Sequence, residues 1–169
     1  MQYVTIGGVT VGVCILIHYL ITWYPGIKSL RGDAIRQLGR LLPFLFAWCY
    51  GALVVLGVGG LIGWIADAAL WISNWLGDAA LVWGVGGQAG AHGTGAAYLP
   101  LTQTGTGVVL ILTAGMAAAL KKSKKYGHDL SRGMWCGVCL GTSSGVAGFA
   151  AVPLAQAANW LGAHIYGAI

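Results

Sequence analysis

Cys136 and Cys139 form the motif CGVC, the nearest thing to a recognised reactive site in this sequence. Two thiols at this spacing serve redox chemistry in a strand–turn–helix context, or bind metal together with histidine. We predict no strand here, whereas His128 and His18 could join a metal site near the same end of the helices. Two small buried thiols on a glycine-rich helix are the simpler interpretation, and we prefer it.

The histidine and acidic residues do not form a catalytic arrangement. His92, His164 and His18 have no carboxylate adjacent in the sequence, and we find neither a Ser-His-Asp order nor a phosphate-binding loop. No acidic residue lies deep within a predicted span, where it would mark a proton or ion path. We therefore expect a non-enzymatic protein without catalytic residues, cofactor or metal.

Asp67, Asn74 and Asp78 form a polar stripe in an otherwise apolar segment. On a helix, at about 100° per residue, the three side chains fall within about 40° of one another. Tryptophans flank the stripe, as at a headgroup boundary. We favour an interfacial helix over 66–83, and the alternative is a continuation of the preceding span. In an assembly of several copies, the stripe could line an outer vestibule that favours cations.

The amino-acid composition indicates that the apolar segments of this chain lie in a membrane. The chain is 57% hydrophobic and 8% charged, and it contains no Glu, whereas soluble domains are about a quarter charged. A soluble chain of 169 residues would need a polar shell that this sequence cannot supply. We predict an integral membrane protein.

The nine basic residues occupy two short segments between apolar runs. They are Lys28, Arg31, Arg36 and Arg40 in segment 25–40, and Lys121, Lys122, Lys124, Lys125 and Arg132 in segment 121–133. Segments rich in Lys and Arg stay on the cytoplasmic side. We therefore expect the cations to face anionic lipid of the inner leaflet, in preference to nucleic acid, and both termini to lie outside.

The predicted fold is an all-α membrane domain over residues 1–169, with four transmembrane helices and interfacial amphipathic helices. The spans cover about 3–24, 41–65, 101–120 and 134–152, since a bilayer core of about 30 Å needs ~20 residues. Segments 25–40 and 121–133 are the inner loops, and a glycine-rich loop at 84–100 lies outside.

Glycines at helical spacing predict where helices approach closely. Small residues repeat every fourth position on each span and let helices associate in lipid. The candidates are Gly137, Gly141 and Gly145 on the fourth span, Gly8 and Gly12 on the first, Gly59 and Gly63 on the second, and Gly115 with Ala119 on the third. These faces can serve packing within one subunit or between subunits, and their abundance favours an oligomer.

Each half of the chain resembles the hydrophobic pilin subunits of type IV secretion systems. In the second half the matching features are the apolar run TGVVLILTAGMAAAL, the basic loop KKSKKYGHDLSR and the glycine series that follows it. Pilins have two spans, so the resemblance covers half of this chain at a time. Small spread proteins of actinobacterial conjugative plasmids are similar in size and composition. Either resemblance implies self-assembly, passage of DNA or effectors, and a bacterial inner or plasma membrane.

The function that we predict from these features is structural. A multi-span subunit would oligomerise through its small-residue faces into a pore, a filament or a transfer assembly for secretion or conjugation. One alternative is an accessory subunit of a larger hetero-oligomeric membrane complex. Another is a holin-like pore former.

Overall fold

The structure, a computed structural model, describes residues 5–28, 34–57, 60–88, 90, 101–123, 126–141 and 146–168. These residues form six α-helices, which confirms the predicted all-helical class. The helices are α1 (Ile6–Lys28), α2 (Ala34–Val55), α3 (Gly60–Ala80), α4 (Gln103–Lys122), α5 (Gly127–Gly141) and α6 (Val146–Gly167). Helix α3 continues into a π-helical segment, Leu81–Val85.

Two segments are long and apolar enough to cross a bilayer, Ile6–Tyr24 in α1 and Gln103–Lys122 in α4. Both coincide with predicted spans. A helix rises about 1.5 Å per residue, so each segment reaches about 30 Å, the thickness of the hydrocarbon core. Their outward faces carry exposed aliphatic side chains such as Ile17, Ile21 and Ile111. Apolar side chains at these positions suit contact with lipid.

The other two predicted spans are each divided between two helices. Where we predicted a single helix over 41–65, α2 ends at Val55 and α3 begins at Gly60, and the two are bent by 105°. Gly60, the first residue of α3, has a φ of 77°, so a right-handed helix cannot continue through it from α2, and glycine adopts this φ without strain. Where we predicted a helix over 134–152, α5 ends at Gly141 and α6 begins at Val146.

The contact between α2 and α5 lies at the centre of the fold. A Cβ atom on Gly51 of α2 would collide with the carbonyl oxygen of Met134, and one on Gly137 of α5 would collide with the carbonyl oxygen of Trp48. Met134 precedes Gly137 by the same three residues by which Trp48 precedes Gly51. The two helices therefore contact each other reciprocally, as equivalent elements related by an approximate twofold axis do.

The remaining helices follow the same pattern. Helix α1 packs against α3, and α4 packs against α6. Across the centre, α1 contacts α5 and α4 contacts α2. The chain thus consists of a first half, α1–α3, and a second half, α4–α6, with equivalent helices in equivalent positions.

We expect Gly51→Val to lower the free energy of unfolding by about 3 kcal/mol, because the added side chain meets backbone that cannot move aside. Gly137→Val should cost a similar amount, as its counterpart in the second half. Thermal unfolding in detergent measures both. Gly39→Val on the same helix is the matched control, since a Cβ there meets no described atom within 4 Å. A loss as large in the control would contradict this account of the α2–α5 contact.

Candidate functional site

Helix α1 begins at a junction with α3 that Thr5 and Asn74 form. The Thr5 hydroxyl oxygen accepts a hydrogen bond from Gly8 N at 3.2 Å, which caps the first turn. The Thr5 backbone N–H donates to Asn74 Oδ1 at 3.4 Å. A Cβ on Gly8 would collide with the same amide oxygen. Gly8 is therefore needed for close approach of α3, within the chain.

Helix α4 begins at a junction with α6 that has the same atoms in the same roles. The Thr102 hydroxyl oxygen accepts from Gly105 N at 3.2 Å. The Thr102 N–H donates to Asn159 Oδ1 at 2.9 Å, and the Thr102 hydroxyl donates to the same oxygen at 3.0 Å. A Cβ on Gly105 would collide with Asn159 Oδ1. The Thr5–Asn74 and Thr102–Asn159 junctions are thus equivalent.

The sequence contains a signal for these junctions that our sequence analysis missed. The tetrapeptide NWLG occurs at 74–77 and again at 159–162. Its final glycine has the same use in both halves, since a Cβ on Gly77 would collide with the backbone of Gly7, and one on Gly162 with the backbone of Thr104. Thr-x-x-Gly at 5–8 and 102–105 is the matching half of the motif.

The three residues of the predicted polar stripe all lie on α3 and differ in their surroundings. Asn74 belongs to the junction, and Asp78 lies beside it, where Asp78 Oδ2 accepts a hydrogen bond from Gly90 N at 3.3 Å. Asp67 is exposed two turns away, between the exposed side chains of Trp64 and Trp71. Asn74 and Asp78 therefore already have partners within the chain.

Most of the predicted glycine positions pack against other helices of the same chain. A Cβ atom added to Gly12 would lie 2.8 Å from Leu140 Cγ, and a Cβ atom added to Gly141 would lie 2.9 Å from the Ala52 Cα. Gly63 faces the Gly57 carbonyl oxygen, and Gly8 and Gly137 make the contacts above. Gly115 alone among the described candidates faces open space. Gly59 and Gly145 lie outside the described residues.

The predicted cations do not all lie together. Arg40 and Arg132 line one cavity, whereas Lys121 and Lys122 are exposed at the end of α4 and do not line it. Arg31, Lys124 and Lys125 lie outside the described residues, as do the side chains of Lys28 and Arg36.

We name this space, of about 380 Å³, the basic-end cavity. It is lined by Tyr19, Thr22, Trp23, Arg40, Tyr126, Asp129 and Arg132. Tyr19 forms its rigid wall, since the side chain is buried and stacks on Phe44 with ring centroids 3.9 Å apart. The Tyr19 hydroxyl donates to the backbone carbonyl of Arg40 at 3.3 Å. The cavity therefore lies between the end of α1 and the beginnings of α2 and α5.

The two cysteines of the CGVC motif are fully buried. The Cys136 thiol donates to the carbonyl oxygen of Gly12 at 3.4 Å, and the Cys139 thiol donates to the Ser73 hydroxyl at 3.2 Å. Among the described residues, no group of three or more His, Cys, Asp or Glu side chains is placed to hold a metal ion. Both thiols are buried and hydrogen-bonded within the chain, and small buried thiols on a glycine-rich helix stay our preferred interpretation.

One apolar cavity of the structure has a volume of about 170 Å³. It lies between α2, α3, α4 and α5, next to the hydrogen bond from the Tyr50 hydroxyl to Thr113 Oγ1 at 3.0 Å. Gly12 follows Gly8 by four residues and lets α1 approach α5 closely. On α4, the residue that follows Gly105 by four positions is Val109. Val109 is buried on α4, at the position that corresponds to Gly12 on α1.

Comparison of the chain with protein-family models, with curated proteins and with solved structures found no match.

We expect Asn74→Ala and Asn159→Ala each to lower the free energy of unfolding by about 1–2 kcal/mol, because each leaves the backbone N–H of a capping threonine without its acceptor. Chemical unfolding in detergent measures both. Gln156→Ala is the matched control, since this amide is exposed on α6, and it should change stability by less than about 0.5 kcal/mol. Equivalence of the junctions is refuted when one asparagine is dispensable and the other is not.

Proposed function

We propose that this chain is a non-enzymatic, multi-pass membrane subunit that contains a pre-assembled pair of equivalent halves and associates further into an oligomer. The observation that carries this proposal is the reciprocal α2–α5 contact with its matching junctions. Separate chains often associate in lipid through helix faces made of small residues. In this protein the same kind of helix contact occurs within one chain. The glycine faces, which we predicted to serve packing within one subunit or between subunits, are largely in contact with other parts of the same chain.

Both halves lie the same way round in the bilayer in this proposal. The matching junctions begin α1 and α4, and the two basic segments follow the ends of these helices. An axis along the membrane normal would put both basic segments on one side, as the distribution of Lys and Arg requires. Each half then comprises one span, α1 or α4, and a second crossing divided between two helices.

The outer face of α4 supports association with another helix. It carries exposed small residues, Ala114, Gly115, Ala117 and Ala118. The equivalent face of α1 carries the large exposed residues Ile17, His18 and Ile21. Contact with lipid alone favours large aliphatic side chains, whereas a small-residue face permits close helix packing. The difference between otherwise equivalent helices favours a protein partner on α4.

A pore, a filament and a transfer assembly for secretion or conjugation all require this association step. The resemblance of each half to pilin hairpins favours the last of these in a bacterial inner membrane. An accessory subunit of a larger complex would use the same α4 face for a partner of different sequence. Native mass after gentle extraction into nanodiscs distinguishes a repeatable homo-oligomer from co-purification at fixed stoichiometry.

We expect Gly115→Ile to shift the native mass of the homo-oligomer towards the monomer, because the new side chain fills the groove that a partner helix would enter. His18→Ile is the matched control, as it adds the same side chain at the equivalent position of α1 and should leave the native mass unchanged. A wild-type protein that is monomeric in nanodiscs would disprove self-assembly. So would a Gly115→Ile variant whose oligomer is unaltered.

A further inference from the structure

The basic-end cavity is lined by two arginines that come from the two different basic segments of the sequence. Arg40 comes from α2 and Arg132 from α5, and both line the same space of about 380 Å³. Pockets for small ligands are typically about 300–1,000 Å³ in volume. Aromatic and hydroxyl side chains from the end of α1 complete the wall. The arrangement is a concave polar site, which scattered surface cations do not form.

The charges of the cavity favour an anion. The lining contains two arginines and one carboxylate, Asp129, so it carries a net positive charge. Asp129 lies in the first turn of α5, where the partial positive charge of the helix N-terminus stabilises a carboxylate. The guanidinium groups are therefore not both required to neutralise it. Arginine binds phosphate oxygens through parallel pairs of N–H groups, which a lysine ammonium cannot provide.

The place of the cavity along α1 matches the depth of lipid headgroups. Tyr19, Thr22 and Trp23 lie at the end of the apolar segment Ile6–Tyr24, next to the basic segment. Tyrosine and tryptophan are enriched at this boundary because their rings are partly apolar and partly polar. A phosphate in the cavity would lie where phospholipid phosphates lie when α1 spans a bilayer.

We propose that the basic-end cavity binds a phosphate group through Arg40 and Arg132, presented in the membrane by an anionic phospholipid. The two arginines act together because they lie on different helices of the central α2–α5 contact, so a bound headgroup also ties the beginnings of these helices together. The site does not depend on oligomer formation and would be present in a monomer.

The experiment measures the thermal unfolding of the detergent-purified chain while short-chain phosphatidylglycerol, phosphatidylcholine or inorganic phosphate is added. Phosphatidylglycerol should give a saturable rise in Tm, and zwitterionic phosphatidylcholine should not. Arg40→Gln combined with Arg132→Gln should weaken the apparent affinity roughly tenfold for each guanidinium removed. Lys121→Gln combined with Lys122→Gln is the matched control, because it removes the same charge outside the cavity and should retain the response.

Two further variants keep the test decisive if the double arginine variant fails to fold. Asp129→Asn removes the carboxylate and should tighten phosphatidylglycerol binding. Arg40→Lys combined with Arg132→Lys keeps the charge without the paired N–H groups and should bind with intermediate affinity. An equal Tm rise with inorganic phosphate, lost in the arginine variant, would support the site and assign it to soluble phosphate.

Other results would overturn the proposal. A response that survives removal of both arginines, or is lost equally in the lysine control, would show non-specific charge attraction. An Asp129→Asn variant that binds more weakly would show that the carboxylate contributes to binding, against the charge argument.

Discussion

The absence of side chains at Gly51 and Gly137 is the constraint on which the rest of the structure depends. Each glycine lies against a backbone carbonyl of the opposite helix, so α2 and α5 approach to a distance that any Cβ would prevent. Around this close contact, α1 packs on α5 and α4 contacts α2. In a bilayer, where burial of apolar surface gives helices no advantage over lipid, such van der Waals contact is a principal source of association.

The equivalence of the two halves explains local features that have no evident structural reason when each half is considered alone. A capping threonine, a glycine three residues later and an asparagine from another helix occur at the start of both α1 and α4. Departures from equivalence are as informative. Gly12 of α1 is matched by Val109 of α4, and the apolar cavity lies beside α4. The open face of α4 has no equivalent on α1, and the basic-end cavity includes α1 but no residue of α4.

Composition and charge were sufficient to predict the helical class and the two helices long enough to span a bilayer. The division at 55–60 was not predicted, because its residues are apolar or glycine and the positive φ of Gly60 is visible only in the structure. The division at 141–146 was not predicted either, although Thr142, Ser143 and Ser144 interrupt the apolar run there. The repeated NWLG motif could have predicted the junctions. Convergence of Arg40 and Arg132 could not be predicted, since it depends on how α2 packs on α5.

Sided labelling of single cysteines in sealed vesicles tests most directly whether the two halves lie the same way round in a membrane. Cys14 and Cys49 are replaced by serine, and the buried Cys136 and Cys139 are kept. With a membrane-impermeant maleimide, Ile6→Cys and Gln103→Cys should react from one side, and Gly39→Cys and Lys122→Cys from the other. Reaction of Ile6→Cys and Gln103→Cys from opposite sides would contradict the parallel arrangement and show inverted halves.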